Sequence, residues 1–174
     1  MKQQTHVKRI SCMATLALLM QFCVTDLAAQ NFNRSIQRVS VQPAYLEVVT
    51  NDGRYLFKPY TKNIIETSFI PAGEQFQQTS HAVVLKPEKI KAQLRTDAQH
   101  LSYIAGNMAV HINRAPFQIS YTYKDKALIA EHQGYQQLAQ GRSLDFRLDQ
   151  DEALYGAGAC SLGMNRRGYR LPLY

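Results

Sequence analysis

The sequence predicts an all-β protein, an antiparallel β-sandwich. Two observations carry this. Apolar and polar residues alternate with period two in one run after another, which sets one face of each run against a core and the other toward solvent. Clusters of glycine, proline, asparagine and aspartate separate the runs at spacings of roughly 10 to 14 residues, the rhythm of short strands in a sandwich or barrel. About ten strand candidates follow residue 35, and helical periodicity never persists there beyond about two turns.

The first 29 residues stand apart from this pattern. Lys2, Lys8 and Arg9 precede a largely apolar run over 10–24, and Leu27-Ala28-Ala29 ends in small residues suited to signal peptidase. The run is too short to cross a bilayer and is interrupted by Gln21. Residues 1–29 therefore read as a cleaved signal peptide, and the protein as exported, periplasmic or extracellular, with no membrane span after cleavage. Neither Cys12 nor Cys23 is preceded by the small residues of a lipoprotein signal, so no lipid anchor is expected.

Strands near 45–50 and 54–58 flank Asn51-Asp52-Gly53 and predict a hairpin with a short loop. Pro71-Ala72-Gly73 marks the next turn. Between Pro87 and Leu94, proline suits a helix start, but Ile90, Ala92 and Leu94 alternate, so the segment reads as the start of a strand. Met108, Val110 and Ile112 alternate with Ala109, His111 and Asn113. The clearest strand is Phe117 to Tyr123, with Phe117, Ile119, Tyr121 and Tyr123 on one face and Gln118, Ser120 and Thr122 on the other. Leu144, Phe146 and Leu148 repeat the pattern, and Gly106-Asn107, Lys124-Asp125-Lys126 and Gln133-Gly134 read as turns between strands. Asp145, Asp149, Asp151 and Glu152 read as a solvated turn leading into a last strand at Leu154.

Charge and chemistry narrow the function. Three of the 20 basic and one of the 13 acidic side chains fall in the leader, which leaves a modest positive balance. The basic residues are scattered through the strands, Arg166-Arg167 being the one adjacent pair after the leader, so no stripe tracks phosphates and no nucleic-acid partner is expected. Two of the three cysteines leave with the leader, so Cys160 has no partner for an internal disulfide and is expected to be a small buried residue. His81, His100, His111 and His132 lack the spacing of a zinc site, and His111 is expected solvated on the polar face of its strand. Asp149 and Asp151 lack the further ligands and central glycine of a calcium loop. No metal and no cofactor are predicted.

The last quarter is unlike the rest. Gly156, Gly158, Gly163 and Gly168 fall within thirteen residues, beside Arg166, Arg167 and Arg170. Gly158 and Gly163 have P-loop spacing, but Met164-Asn165 stands where lysine and a hydroxyl residue must hold phosphate and magnesium. Gly156 and Gly158 open a dinucleotide fingerprint, yet Ser161 replaces its third glycine and no amphipathic helix follows. On composition alone the stretch is a glycine-rich surface loop closing a β-domain.

The run DEALYGAGACSLGMNRRGYRLPLY, with PAGEQF, HAVVLKPEKI, APFQISYTYKDKALIAE and GYQQL upstream, resembles the N-terminal region of secreted bacterial family 31 glycoside hydrolases, the α-glucosidase and α-xylosidase family. The resemblance covers roughly residues 36–174. It implies a galactose-mutarotase-like β-sandwich joined to a catalytic barrel through a tyrosine-glycine-x-glycine segment, matched here by Tyr155-Gly156-Ala157-Gly158. Many members place a glutamate where this chain has Ala159, and the departure points to an Asn-Arg-Arg-Gly subgroup. The implied domains are the sandwich at 30–158 and, at 159–174, the start of a connection to the barrel. The family's catalytic aspartates lie in the barrel, so no catalytic residue is carried over, and the chain alone is expected to be inactive.

The candidate substrate-binding loop is Asn165, Arg166, Arg167 and Tyr169. Guanidinium forks and tyrosine faces suit hydroxyl-rich rings, and the partner implied is an α-linked oligosaccharide held by the full-length enzyme. Domain docking is the alternative role for the same arginines. Without a barrel, residues 163–174 are expected to be mobile, with their arginines in water. A free-standing carbohydrate-binding sandwich is the alternative function; an envelope structural domain fits the strands but leaves the glycine and arginine tail without a role.

Overall fold

The structure is a computed structural model that describes residues 33–76, 80, 82–156 and 163–171. The expected signal peptide at residues 1–29, His81, Gly158, Ala159 and Cys160 lie outside the described residues. Ten strands are present among those described: β1 (Ile36–Val41), β2 (Leu46–Thr50), β3 (Gly53–Thr61), β4 (Ile64–Pro71), β5 (Ala92–Thr96), β6 (His100–Ala105), β7 (Met108–Arg114), β8 (Phe117–Tyr123), β9 (Lys126–Leu138) and β10 (Gly141–Phe146). They form two antiparallel meanders, a sheet ordered β1-β2-β3-β4 and a sheet ordered β10-β9-β8-β7-β6-β5.

Period-two patterning decides which faces meet. In β3 the buried residues Tyr55 and Phe57 alternate with Arg54, Leu56 and Lys58, and in β8 Phe117 and Ile119 alternate with Gln118 and Ser120. The apolar faces of both sheets close on one core of Leu46, Val48, Tyr55 and Phe57 from one side and Leu101, Tyr103, Val110, Ile112, Phe117 and Ile119 from the other. Burial of each large apolar side chain contributes on the order of 2 kcal/mol. Aromatic contacts stitch the layers: Tyr55 stacks on Phe117 at 5.5 Å between ring centres, Phe69 tilts against Tyr135 at 4.5 Å, and the Tyr121 hydroxyl donates to Thr67 Oγ1 at 2.9 Å.

The turns follow their chemistry. Asn51 and Asp52 close the β2–β3 hairpin, with Thr50 paired to Gly53. Lys124 and Asp125 both have positive φ, 49° and 63°, the mirror-image turn that matches strand twist in a two-residue hairpin. Gly106 sits at φ 66° in the β6–β7 turn, where a Cβ would stand 2.6 Å from Lys62 Cα. Only glycine permits this approach, which lets the Asn107 amide donate to Lys62 O at 2.7 Å and ties the β6–β7 turn to the β3–β4 turn of the opposite sheet.

Several sequence expectations are corrected. Gln133-Gly134 is no turn; β9 runs through it, and the register with β10 slips from Asp145↔Gly134 to Phe146↔Glu131. Gly134, at φ 66°, is the glycine of a bulge inside a strand. Leu154 lies in no strand, because after β10 the chain leaves the sheet and bonds to residues 163–167 instead. His111 is half-buried and bridges strands, with Nδ1 3.1 Å from Ser102 Oγ and Nε2 3.0 Å from Thr122 Oγ1, so hydroxyls on β6 and β8 take the place of solvent. Of the Pro87 to Leu94 segment, only the part from Ala92 enters a sheet. The apolar face of β10 is also left uncovered. Leu144 pairs with Tyr135, whose ring already lies on Phe69 at the β4 edge, so β10 overhangs the smaller sheet and Leu144 stays half exposed.

A charged cluster sits where the two sheets meet. Arg34, just before β1, is buried; its Nε and Nη2 fork onto the Asp52 carboxylate at 2.9 and 2.6 Å, Nη1 donates to the Tyr55 hydroxyl at 2.6 Å, and Nη2 donates to Tyr135 O at 3.0 Å. The guanidinium carbon lies 4.7 Å from the Phe69 ring centre and 5.5 Å from those of Tyr55 and Phe117. Burial alone would raise the Asp52 carboxyl, but the hydrogen bonds from Arg34 and Thr50 overcome it and hold it below the usual range. Glu131 is buried against the bulge, a Cβ at Gly134 falling 2.6 Å from its Oε2. Burial pushes its carboxyl up to about 7 against the pull of Arg34.

This sets a pH dependence of stability. A carboxyl raised from 4.5 to about 7 favours the folded state below its unfolded value, and that contribution is lost as pH climbs through the window between the two. The loss is about 3 kcal/mol between pH 4.5 and 7. Urea unfolding of the chain across this range should therefore show stability falling with pH, and Glu131→Gln should flatten the profile. A stability that rises steadily from pH 4.5 to 7 would contradict the assignment.

Candidate functional site

The candidate loop is built on the turn that follows β10. Arg147 N still donates to Ala130 O at 2.8 Å, after which Asp149 to Glu152 fold into a turn closed from both ends: Glu152 N donates to Asp149 O at 3.1 Å, and Asp149 N to Glu152 Oε2 at 3.1 Å. The expectation of a solvated acidic turn holds for Asp149, Asp151 and Glu152, which are exposed, but not for Asp145, which is half-buried within β10.

Arg167 locks this turn. Its Nη1 donates to Asp149 O at 2.6 Å and to Glu152 O at 2.9 Å, so one cationic nitrogen satisfies two carbonyls of the turn. Asn165 Oδ1 accepts from Leu154 N and from Arg167 N, both at 3.1 Å, and Arg166 N donates to Leu154 O at 2.7 Å. The Arg166 guanidinium donates from Nη1 to Gly163 O at 2.7 Å and from Nε to Gly156 O at 3.2 Å. Tyr169 N closes a turn onto Arg166 O at 3.1 Å, with Gly168 at φ 82°.

The expectation that these arginines would meet only water is thereby overturned for Arg166 and Arg167. The four candidate residues are brought together, but in two roles. Asn165, Arg166 and Arg167 hold backbone to backbone, because carbonyls and amides that have left a sheet need partners. Tyr169 projects instead and is 52% exposed, in company with Tyr155 at 71% and Met164 at 80%. The loop thus presents an aromatic and thioether surface on a polar scaffold. The sequence offered no signal for the scaffold, since asparagine and arginine read equally well as ligand-facing groups.

At the turn between β5 and β6 the polar side chains do structural work. His100 Nδ1 lies 3.3 Å from exposed Asp97, whose carboxyl is held below the usual range by hydrogen bonds from the Gln99 and His100 amides. Among the described residues no group of three or more histidine, cysteine, aspartate or glutamate side chains is placed to hold a metal ion, and no helix is long and apolar enough to cross a membrane.

Comparison with known proteins meets this geometry at both the sandwich and the loop. The chain is similar to alpha-glucosidase 2 of Bacillus thermoamyloliquefaciens, with 27% identity over 118 residues, covering 66% of this chain and 15% of that protein. Its fold is that of the Flavobacterium johnsoniae GH31 dextranase solved with isomaltotriose, at 19% identity and a TM-score of 0.69, covering 79% of this chain and 18% of the dextranase. The cycloalternan-forming enzyme of Listeria monocytogenes, solved with a pentasaccharide substrate, aligns at 16% identity and a TM-score of 0.61 over 82% of this chain and 14% of its own. The chain thus spans less than a fifth of the length of each of these relatives. The family profile of the glycosyl hydrolase 31 N-terminal galactose mutarotase-like domain matches residues 54–174, from β3 through the arginine loop, and the chain belongs to that family.

Proposed function

We propose that this chain serves as the N-terminal sandwich of an exported family 31 glycoside hydrolase that acts on α-linked oligosaccharides, with hydrolysis carried out by a barrel domain outside these residues. The observation that carries the reading is the extent of the family match, which runs past the sandwich and through the loop at 163–171. The relatives solved with isomaltotriose and with a pentasaccharide support the substrate class. Residues 1–29 act as the export signal, 30–158 as the sandwich and 159–174 as the start of the connection.

In this reading the loop is a joint. Asn165, Arg166 and Arg167 rigidify it, and Tyr169 with Tyr155 and Met164 supplies the surface that meets the barrel or the sugar at its mouth. Rigid presentation matters because a loop ordered in advance spares the ordering entropy on docking, about 1 to 2 kcal/mol per residue of backbone.

Two measurements bear on this. The purified chain should release no nitrophenol from aryl α-glucosides or α-xylosides, since retaining hydrolysis needs two carboxyl groups about 5 Å apart across one sugar bond. Turnover that follows the chain through purification and disappears on Asp149→Asn or Glu152→Gln would overturn the assignment of chemistry to another domain. Amide exchange tests the joint: Asn165→Ala, which removes the acceptor for two amides, should speed exchange at Leu154 and Arg167 by about tenfold. Unchanged exchange at both would mean that Asn165 does not brace the loop.

A further inference from the structure

The outer face of the four-stranded sheet carries a second arrangement of side chains that the fold does not need. Tyr45, Leu56, Lys58, Tyr60, Glu66 and Ser68, with Phe76 from the chain after β4, line an open cavity of about 240 Å³. All are half-buried rather than fully solvated.

The two charged groups of this cavity are not paired with one another. Lys58 and Glu66 are direct cross-strand partners in the β3–β4 ladder, the placement that favours an ion pair. No ion pair joins them. The Lys58 ammonium instead lies 4.9 Å from the Tyr60 ring centre and 3.5 Å from its hydroxyl, while Glu66 Oε1 accepts a 3.3 Å hydrogen bond from Ser68 Oγ. An ammonium, a carboxylate and a hydroxyl thus border one cavity whose remaining walls are the rings of Tyr45, Tyr60 and Phe76 together with aliphatic Ala44 and Leu56.

We propose that this cavity is a binding site for a neutral pyranose unit of a glycan. A sugar hydroxyl both donates and accepts, so a carboxylate that only accepts beside an ammonium that only donates is a matched pair for vicinal hydroxyls. The aromatic rings cover the C–H face of the ring, the half of a sugar that polar groups cannot serve. An anion or a cation is disfavoured because Lys58 and Glu66 oppose each other in charge. The volume has room for about one ring, smaller than a drug-sized pocket. The inference concerns the sheet's own outer face and does not depend on the role assigned to the Tyr169 loop.

The test is titration of the ¹⁵N-labelled chain with isomaltotriose, followed by amide shifts. Saturable shifts are expected at Lys58, Tyr60, Glu66, Ser68 and Phe76. Lys58→Met and Tyr45→Ala, each checked for an unchanged melting temperature, should weaken binding by about tenfold, the cost of one charged hydrogen bond or of a stacking wall. Arg95→Ala, at an exposed position on β5 of the other sheet, should leave it unchanged. Absence of saturable shifts, shifts confined to the 163–171 loop, or binding untouched by both cavity variants would each overturn the proposal. Since none of these readouts involves hydrolysis, failure here is separable from failure of the proposed function.

Discussion

Arg34 is the constraint on which the two-sheet arrangement rests. A guanidinium removed from water costs several kcal/mol unless its hydrogen bonds are met and an opposite charge lies close. Burial by itself would make Arg34 easier to deprotonate, yet Asp52 and its other partners hold the charge and strengthen it. The partners come from three places in the chain: Asp52 from the β2–β3 turn, Tyr55 from β3, and the Tyr135 carbonyl from β9 in the other sheet. The hairpin turn, the inner strand β3 of the small sheet and β9 next to its bulge are therefore fixed relative to one another by a single side chain.

That arrangement explains features which look unrelated. Gly134 and the register slip bring the Glu131 carboxyl toward the buried charge, and the bulge gives β9 the length to pass beyond β4. One strand further out, no strand of the smaller sheet reaches over β10 among the described residues, which leaves Leu144 and Phe146 about half exposed. The chain then turns away through Asp149 to Glu152, where Arg167 closes the loop. The exposed apolar side chains of β10 and of the loop thus gather where the two sheets stop matching in width.

The strands were legible because patterning alone sets them. Phe117 to Tyr123 and the hairpin around Asn51-Asp52-Gly53 stand where alternation and turn residues put them. Gly134 was misread because glycine in a strand bulge and glycine in a turn are the same signal, a positive φ, and only the pairing of β10 separates them. Arg34 was invisible for another reason. A lone arginine before the first strand reads as solvated, and its partners lie 18, 21 and 101 residues away. The loop was half legible: Asn165, Arg166, Arg167 and Tyr169 do come together, but which of them brace and which project depends on carbonyls whose need for donors arises only once the chain has left the sheet.

The claim that Arg34 holds the two sheets in place is tested most directly by the unfolding free energy of Arg34→Met in urea at neutral pH. Removing the cation leaves Asp52 without its fork and Glu131 without its nearest positive charge, and breaking a buried pair of this kind costs about 3 to 5 kcal/mol. A loss of that size is the expected result. A loss below about 1 kcal/mol, the scale of a surface ion pair, would show that the apolar core alone sets the arrangement.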